Sequence, residues 1–492
     1  MGIDAQLVDV EIDLRGSGDH FYMVGLPTQS VEESRERVQS AIRNSGFHFP
    51  YESVVCNLAP GDLRKDGPLL DLPIAAAILA AVGQIPGGEL EHDLVVGELG
   101  LDGVLRHVDG ALNIALLAAE QQFERLILPK VDAAEAAVVP GLDVYGIETL
   151  ADLVALVNGS TEYEPERLDH DSLSVLPEYG IDFNDVKGQR HAVRAIEIAA
   201  AGGHNLLMVG PPGSGKTMLA RRLPTILPPL TLDESIEVTR IYSAAGQKRG
   251  RTGLLWERPF RSPHHSASHA AIVGGGKVPK PGEVSLGHKG VLFLDEMPEF
   301  DRPVLESLRQ PLEDGLVTVA RAHASLTFPA ECMLIGAMNP CPCGFLGTDQ
   351  RCTCAPGMVE RYAGKISGPL IDRIDLHVTV PKLKPEELIN KPTGEPSAAI
   401  RARVCEARRV QEARLGKARI NAKMTPKEIR EMIVLTDDCK EFMKTVMTKM
   451  NLSARVFDRT LKVARTIADL AGEAEVKQSH LSEAVQYRRT SG

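Results

Sequence analysis

The stretch that most constrains this chain is Gly210-Pro211-Pro212-Gly213-Ser214-Gly215-Lys216-Thr217. The apolar run Asn205-Leu206-Leu207-Met208-Val209 before it reads as a short buried strand, and Met218 to Leu223 after it reads as the opening of a helix. The glycines therefore sit in a strand-to-helix turn, where backbone N–H groups can close around phosphate oxygens that a side chain would keep away. In such a loop Lys216 reaches the outer phosphates of a nucleotide, and Thr217 holds Mg²⁺ through its hydroxyl. The alternative is a glycine-rich turn that matches by chance. A second stretch argues against it: Gly290 to Leu294 is an apolar strand that ends in Asp295-Glu296. Asp295 suits the Mg²⁺ shell and Glu296 suits polarising the attacking water. Together the two stretches predict an enzyme that binds and hydrolyses a nucleoside triphosphate.

At 492 residues the chain is too long for one ordinary domain. A formal charge of −11 argues against a uniformly basic nucleic-acid coat, although a local basic channel is compatible with it. No apolar span approaches membrane length, and the first residues lack a basic-then-apolar secretory pattern, so a cytoplasmic protein is expected, with no membrane partner. Eight cysteines then suggest thiols or metal ligands rather than disulfides.

Residues 1–155 read as a separate mixed α/β domain. Leu7, Asp9, Glu11 and Asp13 alternate with Val8, Val10, Ile12 and Leu14 as in a half-buried strand, and Ser30 to Asn44 reads as a helix starting near a Ser30/Glu33 capping pair. Leu72 to Val82 is a buried helix. Arg64-Lys65-Asp66-Gly67-Pro68, Gly97-Glu98-Leu99 and Gly110-Ala111-Leu112-Asn113 resemble the proteolytic domain of Lon, which works with a Ser–Lys dyad. By that resemblance Leu69 stands where the serine is expected and Asn113 where the lysine is, so an α+β Lon-like fold lacking the catalytic dyad is expected. Residues 156–180 are polar and acidic, and read as a linker.

Residues 181–385 hold the nucleotide motifs. Asp182 to Gln189 resembles the segment that leads into AAA+ ATPase cores, and Asn339, at the end of the strand Cys332–Met338, stands where those proteins keep their first sensor. His264-His265 reads as structural, with a metal site as the alternative. Gly274-Gly275-Gly276-Lys277-Val278-Pro279-Lys280 reads as an exposed insertion, and Gly315 to Thr327 alternates like a hairpin. With Asn339-Pro340-Cys341-Pro342-Cys343-Gly344 and Ile366 to Asp375, these pieces resemble the magnesium-chelatase-like AAA+ ATPases known as YifB or ComM over nearly the whole chain. The resemblance implies an α/β AAA+ P-loop core with a helical lid at 386–492, and ATP and Mg²⁺ as cofactors. It makes Arg373 the arginine finger toward the neighbouring subunit's nucleotide, with a salt bridge to Asp372 or Asp375 as the alternative. It makes Arg455 the second sensor.

Cys341-x-Cys343 and Cys352-x-Cys354 suit a tetrahedral Zn²⁺ site, although the spacing is tighter than in most zinc fingers; four reduced thiols on a loop are the alternative. Ser397 to Arg419 is arginine-rich and reads equally as a solvated face or a binding one. The family resemblance implies a homo-oligomeric, hexameric ring helicase that drives branch migration on single-stranded and branched DNA as transformed DNA integrates. A chelatase-type motor remodelling a protein partner is the alternative, and the Lon-like front is taken to separate the two. The expected DNA contacts are Lys277 and Lys280 on the insertion and Arg321 and His323 at the hairpin tip, with Arg64 and Lys65 as outer ones.

Overall fold

A computed structural model describes residues 5–16, 18, 20–65, 67–166, 179–247, 254–276, 279–321, 324–383, 394–450 and 452–488. The chain divides into two compact units, Met1–Val175 with Ser235–Leu255, and Leu176–Glu234 with Trp256–Gly492.

In the first unit, strands β1 (Asp9–Arg15), β2 (Phe21–Val24) and β3 (Ser53–Ala59) form a sheet in the order β1-β3-β2, with β1 antiparallel and β2 parallel to β3. The alternation expected of β1 is present: Asp9, Glu11 and Asp13 are exposed and Val10, Ile12 and Leu14 half-buried. β1 lies at an edge of the sheet, where its outward acids discourage pairing with another chain. Strands β4 (Asp93–Val95), β5 (Arg125–Pro129) and β6 (Asp143–Ile147) form a parallel sheet in that order. The helix Asp71–Ala81 is apolar all round and therefore buried, with Leu72, Ile74, Ile78 and Leu79 fully covered. Its first residue, Asp71, is buried too, bound by Arg37 Nε at 2.7 Å and by the Leu99 N–H at 3.3 Å. The Ser30/Glu33 cap does not form. A short helix Gln29–Glu32 precedes Ser34–Asn44, and the Ser30 hydroxyl instead pairs with Thr28 at 2.9 Å.

Two departures concern the expected divisions. The helix Leu150–Val157 continues into the stretch read as linker, closed at its start by a Thr149/Asp152 capping box, while residues 167–178 of that stretch lie outside the described residues. Residues 235–255, left by sequence within 181–385, belong to the first unit. There Ser243 Oγ donates to Glu135 at 2.7 Å and accepts from the Gly110 N–H at 3.1 Å.

In the second unit, β7 (Leu206–Val209), β8 (Phe260–Arg261), β9 (Val291–Leu294), β12 (Met333–Met338) and β13 (Leu376–Thr379) form a parallel sheet in the order β8-β9-β12-β7-β13. Between β9 and β12 in sequence stands the expected hairpin, β10 (Leu316–Arg321) with β11 (Ala324–Pro329). It turns Val317, Val319 and Phe328 inward. Every residue of β9 and β12 is buried, as in a parallel sheet covered on both faces. Because β9, β12 and β7 are parallel neighbours, Asp295, Asn339 and the glycine loop all leave the sheet at its C-terminal edge. Arg373 to Asp375 precede β13 and so lie at the opposite edge.

The C-terminal helices Ser397–Leu415, Asp437–Met450, Ala454–Leu470 and Gln478–Gln486 share one apolar cluster with this sheet. Asp375, which is buried, joins them to it: Oδ1 accepts from Arg459 at 2.6 Å, and Oδ2 stands 3.3 Å from His204 Nδ1. Burial pushes the Asp375 carboxyl up, but the His204 hydrogen bond and the charges of Arg459 and Arg488 outweigh burial and hold it well below the usual range. Replacing Asp375 with alanine strands these cations, so a loss of about 3–5 kcal/mol in unfolding free energy is expected. Chemical denaturation measures it, and a loss below about 1 kcal/mol would remove Asp375 as the anchor.

The arginine-rich stretch is only partly a solvated face: Arg409 and Lys417 are exposed, but three of its arginines are tied into the fold. Arg403 binds Glu197 at 2.6 Å and Glu395 at 2.5 Å, Arg408 donates to the Ala200 carbonyl at 2.6 Å, and Arg414 binds Asp469 at 2.7 Å. Among the described residues no helix is long and apolar enough to cross a membrane.

Candidate nucleotide site and cysteine cluster

The turn from β7 into the helix Lys216–Ile226 forms a tight cradle. Gly210 lies so close to the residue after β13 that a Cβ there would stand 2.2 Å from the Val380 carbonyl oxygen. Gly213 and Gly215 have φ of +73° and +91°, the left-handed region that favours glycine. Lys216 is buried, its Nζ donating to the Gly210 carbonyl at 2.6 Å, the Pro211 carbonyl at 3.0 Å and Asn339 Oδ1 at 3.3 Å. Burial lowers the Lys216 ammonium, partly offset by the charges of Asp295 and Glu296. Thr217 Oγ1 donates to Asp295 Oδ2 at 2.6 Å, which brings together the two oxygen ligands expected for Mg²⁺. Among the described residues Ser214 Oγ is buried with no hydrogen-bond partner, an orphan that fits a loop built to meet phosphate oxygens.

Glu296 sits beside Asp295 with φ of +49°, a strained backbone for a residue with a side chain. Its N–H donates to Asp295 Oδ1 at 2.9 Å, and its carboxylate is exposed. His265 Nδ1 stands 3.6 Å from that carboxylate. Sequence reasoning missed this neighbour, because a His-His pair carries no spacing signal pointing to Asp-Glu. Gln189, with φ of +54°, donates through Nε2 to the Pro381 carbonyl at 2.6 Å and the Ser214 carbonyl at 3.3 Å, tying the leading segment to the loop.

Arg373 is buried at the far edge of the sheet, where its guanidinium pairs with Glu313 and donates to the Pro369 carbonyl at 2.6 Å. The partner is thus neither Asp372 nor Asp375. The Arg373 hydrogen bond, then the charges of Arg373, Arg455 and Arg309, holds Glu313 below the usual carboxylate range. The charges of Arg455 and Arg373 thus act on the same carboxylate. Glu313 gave no signal in sequence, being one acid in an ordinary helix.

Of the expected DNA contacts, Lys280 is exposed where Lys280–Pro281 pairs with Gly274–Gly275, and Arg321 closes β10 at the hairpin tip. Lys277 and His323 lie outside the described residues. Lys65 is buried and its ammonium is bound to the Pro60 carbonyl, so it is not available as an outer contact.

The four cysteines converge. Sγ of Cys341 stands 3.4 Å from Cys343 and 3.7 Å from Cys352, Cys343 and Cys352 are 3.6 Å apart, and all four sulfurs including that of Cys354 lie within 4.8 Å of one another. Among the described residues this is the one cluster of histidine, cysteine or acidic groups able to hold a metal ion.

A parallel P-loop sheet with Asp-Glu and Asn on its neighbouring strands, followed by C-terminal helices, defines a P-loop nucleotide-binding protein of the AAA+ type. Residues 182–388 match the family described as "Magnesium chelatase, subunit ChlI", residues 394–488 its C-terminal part, and residues 10–132 "Subunit ChlI of Mg-chelatase". The chain is 45% identical to "Competence protein ComM" of Haemophilus influenzae, over 99% of this chain and 96% of that protein. It is 42% identical to "Uncharacterized protein YifB" of Escherichia coli over 99% and 95%. It is 28% identical to the "Magnesium-chelatase 67 kDa subunit" of Chlorobaculum tepidum over 32% and 23%. The chain belongs to the YifB/ComM family of magnesium-chelatase-like AAA+ proteins, and membership implies ATPase activity with ATP and Mg²⁺. One expectation changes: because the front segment itself matches a chelatase-subunit description, its presence no longer separates the two functional readings.

Proposed function

We propose that this protein is a ring-forming, cytoplasmic DNA motor, a hexameric helicase that uses ATP to drive branch migration while DNA taken up in natural transformation integrates. The observation that carries this reading is the 45% identity to a competence protein along 99% of the chain, against 32% coverage for the chelatase subunit. In the proposed site Lys216 and the N–H groups of Gly210 to Thr217 hold the phosphates. Thr217 and Asp295 hold Mg²⁺, which neutralises phosphate charge when bound; Glu296 polarises water and Asn339 orients it. Arg373 serves the neighbouring subunit's nucleotide as the arginine finger, and Arg455 is the second sensor, contacting the γ-phosphate from the lid. The place of the finger supports its role: Arg373 precedes β13 while Val380, beyond it, lies level with Gly210, and at about 3.3 Å per residue the strand separates Arg373 from its own loop by about 15 Å. A structural Zn²⁺ on the four cysteines completes the cofactors.

The front domain is read as Lon-like without peptidase activity. Supporting this, Asn113, at the expected lysine position, is buried and accepts from Arg240 Nε at 3.1 Å, and the Leu69 carbonyl accepts from the Gly97 N–H at 3.0 Å. Neither position offers a nucleophile or a base.

The deciding experiment compares ATPase rates with single-stranded, double-stranded and branched DNA and with an unfolded protein. Stimulation by branched DNA supports the reading, and stimulation by the unfolded protein alone favours the protein-remodelling alternative. The basic positions of the second unit give a sharper expectation. Substituting Lys277, Lys280 and Arg321 together by alanine should keep basal ATPase and weaken DNA binding. The log–log salt slope should flatten by about 2–3, near one for each lost phosphate contact, and branch migration should stop. A triple variant that migrates branched DNA at the parental rate removes these loops from the mechanism.

A further inference from the structure

We propose that the four-cysteine loop is a zinc clamp that sets the nucleotide affinity of the P-loop, an inference that rests on reading the cluster as a zinc site and Gly210–Thr217 as the nucleotide site. A tetrahedral tetrathiolate with Zn–S bonds of about 2.3 Å places its sulfurs about 3.8 Å apart. The observed separations of 3.4, 3.6 and 3.7 Å lie close to that and far above the S–S bond length of a disulfide, about 2.05 Å. The Leu346 N–H points at Cys341 Sγ at 3.4 Å, the kind of outer hydrogen bond that orients a thiolate ligand.

The cluster also touches the nucleotide loop. Cys341 is fully buried and follows Asn339 by a single intervening proline, so the first ligand continues directly from the strand that positions the Lys216 contact. Gly344, next to Cys343 and buried, has φ of +84°, and a Cβ there would stand 2.5 Å from Cδ and 2.8 Å from Cγ of Pro212. The loop backbone is thus seated on the Pro212 ring, with no side chain between them. Residues 339–355 contain no helix or strand and only turn hydrogen bonds such as Gly344 N–H to the Cys341 carbonyl at 3.0 Å, so cross-linking by four sulfurs would be the strongest tie on this shape. With the metal bound, Gly344 braces Pro212 and the P-loop stays open for phosphate. Without it the brace loosens, and nucleotide binding must supply the ordering of both loops.

The test measures zinc content and nucleotide affinity separately. The purified parent should carry one zinc per chain by elemental analysis, and its cobalt-substituted form should show thiolate-to-cobalt charge-transfer bands. Cys352→Ser should lose the metal and bind a fluorescent ATP analogue about tenfold more weakly. Gly344→Ala should keep its zinc yet lose affinity to a similar degree, and adding Pro212→Ala should recover part of it. If Cys352→Ser fails to fold, chelation of the parent followed by zinc return should lower and then restore affinity. A parent without stoichiometric zinc overturns both the metal site and the clamp. A zinc-free variant and a Gly344→Ala variant that both bind nucleotide like the parent overturn the clamp and leave the zinc site standing. A Lys216→Ala chain that binds nucleotide like the parent overturns the P-loop reading itself.

Discussion

Replacing Glu296 by glutamine is expected to leave ATP binding near the parental level and to slow hydrolysis by about 10²–10⁴-fold, the range for loss of a positioned general base. The amide keeps the size and polarity of the side chain but cannot take up the charge that develops as water is deprotonated. Glu296 is suited to be the residue that fails alone: its carboxylate is exposed and close to His265, whereas Asp295 is bound to Thr217 and is the residue proposed for the metal shell. Replacing Lys216 by alanine should act one step earlier. Lys216 is the buried ammonium of the loop, so its removal takes away the counter-charge to the phosphates and should weaken ATP binding by at least about 100-fold. Equilibrium binding of a fluorescent ATP analogue together with phosphate release separates the two outcomes. A Glu296→Gln chain that turns over ATP at the parental rate would exclude this carboxylate as the base.

The parts of the molecule that were legible in sequence are those where chemistry or geometry dictates residue type. Gly210 and Gly215 are required by backbone approach and by left-handed φ, Lys216 and Thr217 stand out by charge and by a hydroxyl, and the four cysteines by two close Cys-x-Cys pairs that the fold brings together. Apolar runs covered on both faces gave β9 and β12, and alternation gave β1 and the β10–β11 hairpin. What was not legible depends on partners remote in sequence. The arginines of Ser397–Leu415 look like a basic face until Glu197 and Asp469 are brought against them from other helices. Lys65 looks like an exposed cation until the fold covers it, and Ser235–Leu255 reads as part of the ATPase core until Ser243 meets Glu135. Charge alone reports neither burial nor pairing; both are set by contacts that the local pattern does not encode.

In the proposed ring, Arg373→Ala subunits are expected to bind ATP like the parent yet hydrolyse it about 10³-fold or more slowly, as when an arginine finger is withheld. The position argues for action between subunits: Arg373 lies just before β13, at the N-terminal edge of the sheet, while Asp295, Asn339 and Lys216 emerge at the C-terminal edge. The same position sets a competing outcome, because Arg373 is buried against Glu313, and its loss would then destabilise the subunit rather than silence a neighbour. Mixing decides between them. An Arg373→Ala subunit keeps an intact pocket and a Lys216→Ala subunit keeps an intact arginine. In a head-to-tail ring of equal parts, about a quarter of the interfaces join the two intact halves. Activity should therefore reappear on mixing two inactive preparations, pass through a maximum near equal proportions, and vanish when either is in large excess. No recovery at any ratio, with mixed assembly verified by light scattering and subunit-exchange fluorescence, would assign Arg373 to holding its own subunit together.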